Sequence, residues 1–329
     1  MSIALPRAVV LSGGLAYERE VSLRSGRRVA EALRHAGVET LVADADADLL
    51  PSLAANPADA VFIALHGAAG EDGSLRRVLE LAGVPFVGTP AERCRTAWDK
   101  PSAKAAVRAD GHLTPDWVAL PHSTFRELGA GAVLDLVVAR LGLPLLVKPA
   151  QGGSALGVER ISAAEDLPTA MVSCFAYGDT VLIERFVAGT EVAVSVLEAG
   201  AGEPPRALPA VEIVPASGVF DYAARYTAGM TAYHTPARLP ADVSARVGQL
   251  AVAVHRALGL RDLSRTDAII DSDGAVHFLE VNVSPGMTET SMLPMSVAAS
   301  GRDLGETLRE LIHTAAARSA TASAAAATI

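Results

Sequence analysis

The sequence predicts an α/β protein of three units: an N-terminal doubly wound parallel sheet followed by two α+β units. Three observations lead there. Short aliphatic strands alternate with helical stretches from residue 8 to residue 87. A strand ending in Lys148 runs into a glycine-rich turn. Near the C-terminal end, two β-runs carry Asp267, Glu280 and Asn282 on either side of a tight turn. At 329 residues the chain is longer than one hydrophobic core usually serves. The expected units are 1–92, 93–185 and 186–313, with a disordered tail over 314–329.

The first unit opens with Ala8, Val9, Val10 and Leu11, as apolar as a parallel strand covered on both faces. The strand gives way to Gly13 and Gly14, and helical periodicity follows over 18–35. Further strands are expected at 39–42, 60–65 and 84–87. A sheet wound this way places function at the C-terminal ends of its strands. The Gly13 turn and the loop from His66 to Gly73 lie at two such ends. Gly13 and Gly14 lack the third glycine of a dinucleotide fingerprint, which excludes a nicotinamide cofactor there. A helical segment over 91–109 leads into the second unit, with strands at 144–148 and 180–185 and a helix over 164–175. The third unit has a strand at 191–197, a polar loop over 216–234 that reads as a lid, and an Ala-rich helix over 241–258. The acidic hairpin follows. The Ala, Ser and Thr residues after 314 show no apolar period, hence the expectation of disorder.

Asp267, Glu280 and Asn282 are hard oxygen donors. Strand alternation puts Glu280 and Asn282 on one face, and the Asp271–Gly274 turn brings Asp267 alongside. Such a set suits magnesium, which shares its shell with substrate phosphates. Two solvated acids on an edge hairpin are the plain alternative. Phe278, Leu279 and Val281 argue against it, because they mark a buried strand where an unpaired carboxylate is costly. Lysine is rare: of 28 Lys plus Arg, only Lys100, Lys104 and Lys148 are lysines. A lysine kept in such a chain is expected to do what a planar guanidinium cannot, such as present a point charge to a phosphate. Lys148, followed by Gly152, Gly153, Ser154 and Gly157, places an ammonium and backbone N–H groups around one anion. Lys104, one helical turn after Lys100, is expected at the surface.

Half the residues are apolar and 4% aromatic, so aliphatic side chains must build the core. A formal charge of −9 excludes nucleic acid as a partner, because binding a phosphate backbone needs basic surface. Cys94 and Cys174 are too few for a disulfide framework and read as small buried hydrophobes in a reducing compartment. No signal peptide and no membrane-length apolar run is present, so a cytoplasmic location is expected.

Together these motifs resemble the D-alanine–D-alanine ligases of the ATP-grasp superfamily. The resemblance runs from Val10 to about Leu311 and keeps the family's order. It takes in Gly13, Gly14 and Glu18, then His66 with Gly70-Glu71-Asp72-Gly73, then Asp99-Lys100 and Lys148-Pro149 with Gly153-Ser154. It continues through Glu184 and Glu191, Arg225-Tyr226, Arg265-Thr266-Asp267, and Glu280-Val281-Asn282 with Gly286 and Ser291.

The resemblance implies an ATP-grasp fold whose two α+β units clamp ATP. It also implies two Mg2+ ions, with Mn2+ as a substitute, and joining of two D-alanines through an acyl phosphate for peptidoglycan precursors. A related ligase for another small amino acid, in antibiotic biosynthesis or self-resistance, is the alternative. On this resemblance Lys100, Lys148 and Arg225 would contact ATP phosphates, and Glu184 and Glu191 the adenine amino group and ribose. Asp267, Glu280 and Asn282 would hold the metal. Glu18 would take the first D-alanine's ammonium in a triad with Ser154 and Tyr226, Arg265 and the Gly286 N–H would stabilise the oxyanion, and Ser291 would take the second carboxylate. His66 joins the substrate-binding set, with a structural loop histidine as its alternative. A homodimer is implied by the family. The chain departs from the family's usual pattern over 89–95, at Gln151-Gly152 and at Arg225.

Overall fold

The computed structural model describes residues 6–198, 200, 202–216, 218–220, 224, 225, 227 and 229–326, with side chains to 318. Its first sheet is parallel, in the order β2-β1-β3-β4. The strands are β1 (Arg7–Ser12), β2 (Glu39–Asp44), β3 (Ala60–Ile63) and β4 (Phe86–Val87). Helix α1 (Arg19–His35) buries Ser22, Ser25, Gly26, Val29, Ala30 and Leu33, the one-face spacing of a 3.6-residue period. Gly26 is required there, because a Cβ would stand 2.4 Å from that of Ser12. Helices α2 (Leu49–Ala55), α3 (Ala68–Glu71) and α4 (Ser74–Leu81) complete the winding.

Helices α5 (Ala91–Trp98) and α6 (Lys100–Ala109) meet at Asp99, whose carboxylate caps α6 by accepting from the Ser102 N–H at 3.0 Å. The central sheet is antiparallel, in the order β5-β8-β6-β7. It contains β5 (Trp117–Pro121), β6 (Leu145–Pro149), β7 (Glu159–Ile161) and β8 (Thr180–Arg185). Helices α7 (His122–Leu128), α8 (Ala130–Leu141) and α9 (Leu167–Phe175) cover one side through Phe125, Leu134, Val137, Leu141 and Met171.

The third sheet runs β12-β11-β9-β13-β14, with β10 paired to β9. Its strands are β9 (Thr190–Leu197), β10 (Arg206–Ala207), β11 (Val211–Pro215), β12 (Thr231–His234), β13 (Leu263–Ile270) and β14 (Val276–Asn282). Helices α10 (Ala241–Ala257), α11 (Met292–Ala299) and α12 (Leu304–Ala326) pack on it and on the first unit.

Three expectations need correction. The stretch read as a tail from 314 continues α12 to Ala326; Ala315 is buried, and Arg318 forms a fork with Asp262 at 2.7 Å. The loop expected over 216–234 ends in β12, which pairs with β11; positions 217, 221–223, 226 and 228 lie outside the described residues. Helices α5 and α6, grouped with the central unit by sequence, bury Cys94, Ala97, Ala103 and Val107 in the core beneath the third sheet. Cys94 and Cys174 are buried free thiols, and burial raises the pKa of both. No described helix is long and apolar enough to cross a membrane.

Candidate active site

A cleft of about 1290 Å³ opens where the three units meet. Its floor is the β13–β14 hairpin. Asp267 stands directly opposite Glu280 and Arg265 opposite Asn282, so register places all four on one face. The register shifts between Asp267 and Ala268, leaving Leu279 as an extra residue whose side chain lines the cleft. Arg265 grips Asp267 with Nε and Nη2 at 2.7 and 2.8 Å. Burial opposes charging of Arg265, but the Asp267 carboxylate outweighs it and the pKa rises. Burial also opposes charging of Glu280, yet Lys100, Lys148, Arg225 and Arg265 hold its carboxyl down at about 2.

The donor set fits a divalent cation. Glu191 sits beside this hairpin, and burial, then the charges of Asp267 and Glu280, push its carboxyl up to about 7. Three carboxylates crowding one wall repel each other, and a cation between them relieves that repulsion. Among the described residues no group of three or more His, Cys, Asp and Glu side chains is placed to hold a metal ion, so the Asn282 amide is needed in the set. An ion here would take Asp267, Glu280 and the Asn282 amide oxygen and complete its shell from phosphates, as magnesium does. Asn282 Oδ1 already accepts from the Ser284 N–H at 2.7 Å, which fixes its orientation.

The opposite wall is the glycine loop after β6. Lys148 and Lys100 approach it from β6 and from α6. Lys100 Nζ donates to the Gly152 carbonyl at 2.7 Å and lies 3.7 Å from Glu280. Lys148 Nζ is 2.6 Å from Glu184. Burial lowers the pKa of Lys100; for Lys148, burial works the same way but the Glu184 charge outweighs it and the pKa rises. Gln151 Nε2 donates to Asp99 at 3.2 Å and ties this loop to the cap of α6. Ser154 and Ala155 both hold left-handed backbone, at φ 57° and 54°, a conformation L-residues disfavour.

The inner end is built by the first unit. Asp44, ending β2, accepts from the Gly14 N–H at 2.7 Å and pairs with Arg19 at 2.6 Å, which sets the start of α1. Glu18 occupies the N-cap position of that helix, but its side chain makes no cap hydrogen bond there. Its Oε1 accepts from Ser154 Oγ at 3.1 Å. Gly67 leaves room for the same carboxylate, since a Cβ there would meet Glu18 Oε2 at 2.6 Å. Tyr226, expected to complete this set, lies outside the described residues.

His66 is wired into the scaffold. Its Nε2 pairs with Ser25 Oγ at 3.0 Å and its Nδ1 with the Ser284 carbonyl at 3.2 Å. Burial lowers its pKa to about 4, so the ring is neutral, with Nδ1–H donating and Nε2 accepting. The structural alternative describes this contact set. Gly286 follows in the same loop, and a Cβ on it would meet Ser291 Oγ at 2.6 Å. Ser291 Oγ accepts from the Thr288 N–H at 3.0 Å and lies 2.9 Å from Thr288 Oγ1.

Arg225 lines the cleft with its guanidinium 4.6 Å from the Phe220 ring centre. Glu184, expected at the adenine, is 1% exposed, with Lys148 on one oxygen and Lys104 Nζ 2.8 Å from the other. Lys104 is therefore no surface lysine; it is fully enclosed. The departure over 89–95 packs away from the cleft, where Thr89 Oγ1 accepts from the Arg261 N–H at 3.2 Å.

Two further residues escaped the sequence reading. Glu71 is buried beside Glu18, and burial pushes its carboxyl up to about 7; Oε1 accepts from the Gly67 N–H at 3.0 Å. Its place in Gly70-Glu71-Asp72-Gly73 was the available signal. Arg76, 2% exposed, donates to the carbonyls of Gly70 and Val283, tying the first unit to the loop that carries Gly286.

Models described as the N-terminus and C-terminus of D-ala D-ala ligase match residues 44–89 and 107–313. A D-alanine–D-alanine ligase of Anaeromyxobacter dehalogenans is 40% identical over 310 residues, covering 94% of this chain and 97% of its own. A solved D-alanine–D-alanine ligase of Bacillus anthracis matches with TM-score 0.81 and 30% identity, over 96% of this chain and 99% of that one. Another from Bacillus anthracis, complexed with ATP, gives 0.78 and 27% over the same shares.

Proposed function

Because this chain belongs to the D-alanine–D-alanine ligase family, we propose that it joins two D-alanines at the expense of ATP, through an acyl phosphate, for peptidoglycan precursor synthesis. The observation that carries this reading is the convergence on one cleft of two lysines, an acidic hairpin and the Glu18–Ser154 pair. Lys100, Lys148 and the glycine loop hold the phosphates, with Arg225 at the rim. Glu184 and Glu191 face the adenosine. Asp267, Glu280 and Asn282 hold magnesium, which when bound supplies positive charge to the transferring phosphoryl group.

Glu18 receives the first ammonium, with Ser154 and Tyr226 completing the set. A carboxylate accepts an amine poorly, and its acyl phosphate accepts one readily but hydrolyses in water. Closure of the 216–230 segment, ahead of β12, is therefore part of the proposal. Arg265 and the Gly286 N–H stabilise the oxyanion formed when the second amine attacks. Ser291 orients the second carboxylate, and His66 supports the loop that carries it. We also propose a cytoplasmic homodimer, with the domain limits stated above adjusted for α5, α6 and α12.

ADP release over a panel of D- and L-amino acids, with products weighed by mass spectrometry, tests the reaction. D-alanine with ATP and magnesium should give D-alanyl-D-alanine, and Glu280→Gln should lower turnover at least about a hundredfold. A dipeptide of another amino acid as the main product would overturn the substrate assignment. Near-normal turnover in a folded Glu280→Gln would overturn the metal assignment.

A further inference from the structure

All three lysines of the chain converge, and one of them has no role in the scheme above. Lys104 Nζ lies 2.8 Å from Glu184 Oε2 and donates to Thr114 Oγ1 at 2.7 Å. Glu184 Oε1 in turn lies 2.6 Å from Lys148 Nζ. The result is a buried row, Lys104–Glu184–Lys148, in which Glu184 and Lys148 line the cleft and Lys104 stands behind them.

Two ammoniums and one carboxylate leave the row one positive charge. Without Lys104, Lys148 and Glu184 would form a neutral pair, and an anion approaching Lys148 would meet the field of Glu184 as well. A phosphate touching Nζ would lie roughly 5 Å from that carboxylate. Like-charge repulsion at this range and an effective dielectric near 20 corresponds to about two- to three-hundredfold in affinity, and the Lys104 ammonium, roughly 8 Å from the phosphate, offsets about tenfold to a hundredfold of it. Thr114 extends the row: its hydroxyl donates to the Phe278 carbonyl at 2.8 Å, on the strand that carries Glu280.

We propose that Lys104 is a positioning residue for nucleotide phosphate: it neutralises Glu184 from behind, so that Lys148 presents a whole positive charge to the cleft. The proposal rests on the reading of Lys148 as a phosphate ligand. It also accounts for a lysine at a site with no exposure, where the broader arginine fork has no room to turn.

The test is calorimetric binding of ATP and of adenosine, without added metal. The proteins compared are wild type, Lys104→Met, Glu184→Gln, the double variant, and Lys148→Met as reference. The ratio of ATP to adenosine affinity isolates the phosphate contribution. It should fall about tenfold or more in Lys104→Met. In the double variant, where the row again carries one positive charge, it should return to within about threefold of wild type.

A merely structural Lys104 would lower both affinities together and leave the ratio alone, which would overturn the proposal. An unchanged ratio in Lys104→Met alongside a lowered one in Lys148→Met would overturn the role of Lys104 alone. An unchanged ratio in Lys148→Met would overturn the phosphate reading beneath it. If Lys104→Met does not fold, the double variant decides: a ratio near wild type supports charge balance, and a tenfold fall refutes it.

Discussion

At the scale of single residues, the cleft is governed by groups held away from their ordinary protonation. Glu71 has an ordinary carboxyl pKa of 4.5 when unfolded and about 7 when buried, so the folded chain holds its proton more tightly. Its contribution to stability is complete below pH 4.5 and is lost as pH rises through 7. His66, lowered from 6.5 to about 4, acts in the opposite sense across its own window. Subtracting the parent's melting curve from that of Glu71→Gln cancels His66. The variant should gain on the parent steadily from pH 4.5 to pH 7.5; a difference that stays flat with pH would refute a buried, protonated Glu71. That Lys148 and the acidic set would meet at one cleft was legible from residue type and spacing. The place of Lys104 was not, since enclosure by Glu184, Thr114 and Trp117 comes from two segments outside its own helix. The rarity that singled out Lys148 applied equally to it and should have overruled its helical spacing.

Among the elements, the β13–β14 hairpin was the most legible, because Asp271 to Gly274 encode the turn and the strands alternate around it. The shift that sends Leu279 into the cleft has no local signal. The parallel sheet was also legible from its aliphatic runs. Short edge strands such as β10 and β12 were not, because two to four residues carry too little pattern. Helix α12 was lost for a related reason: an Ala-rich run reads as featureless, while its support is tertiary. Asp262, at φ 65° and 1% exposed, accepts from the Gly88 N–H at 2.7 Å and from both Nη atoms of Arg318. Arg318→Ala leaves that carboxylate with too few donors and should destabilise the protein by about 1–3 kcal/mol, read from denaturant unfolding. Unchanged stability would show that α12 ends functionally before Arg318.

Over the whole molecule, the first and third units are not separate bodies. Val29, Leu33 and Phe62 share one core with Leu263, Leu293, Val297 and Leu308. His66, Ser25 and Arg76 add polar ties to the loop over 283–287. The central sheet instead keeps a core of its own, drawn from Phe125 to Ile183. Two walls of the cleft are thus one block, and the wall with the glycine loop is the other. Cooperativity should follow cores rather than sheets. Scanning calorimetry of the ligand-free protein should resolve two transitions, and ATP, whose cleft is lined by both blocks, should raise both. Three independent transitions would contradict this division. An excised piece spanning 1–92 would carry half an interior to solvent, and a chain synthesised from its N-terminus must wait for residues beyond 308 before its first sheet is closed.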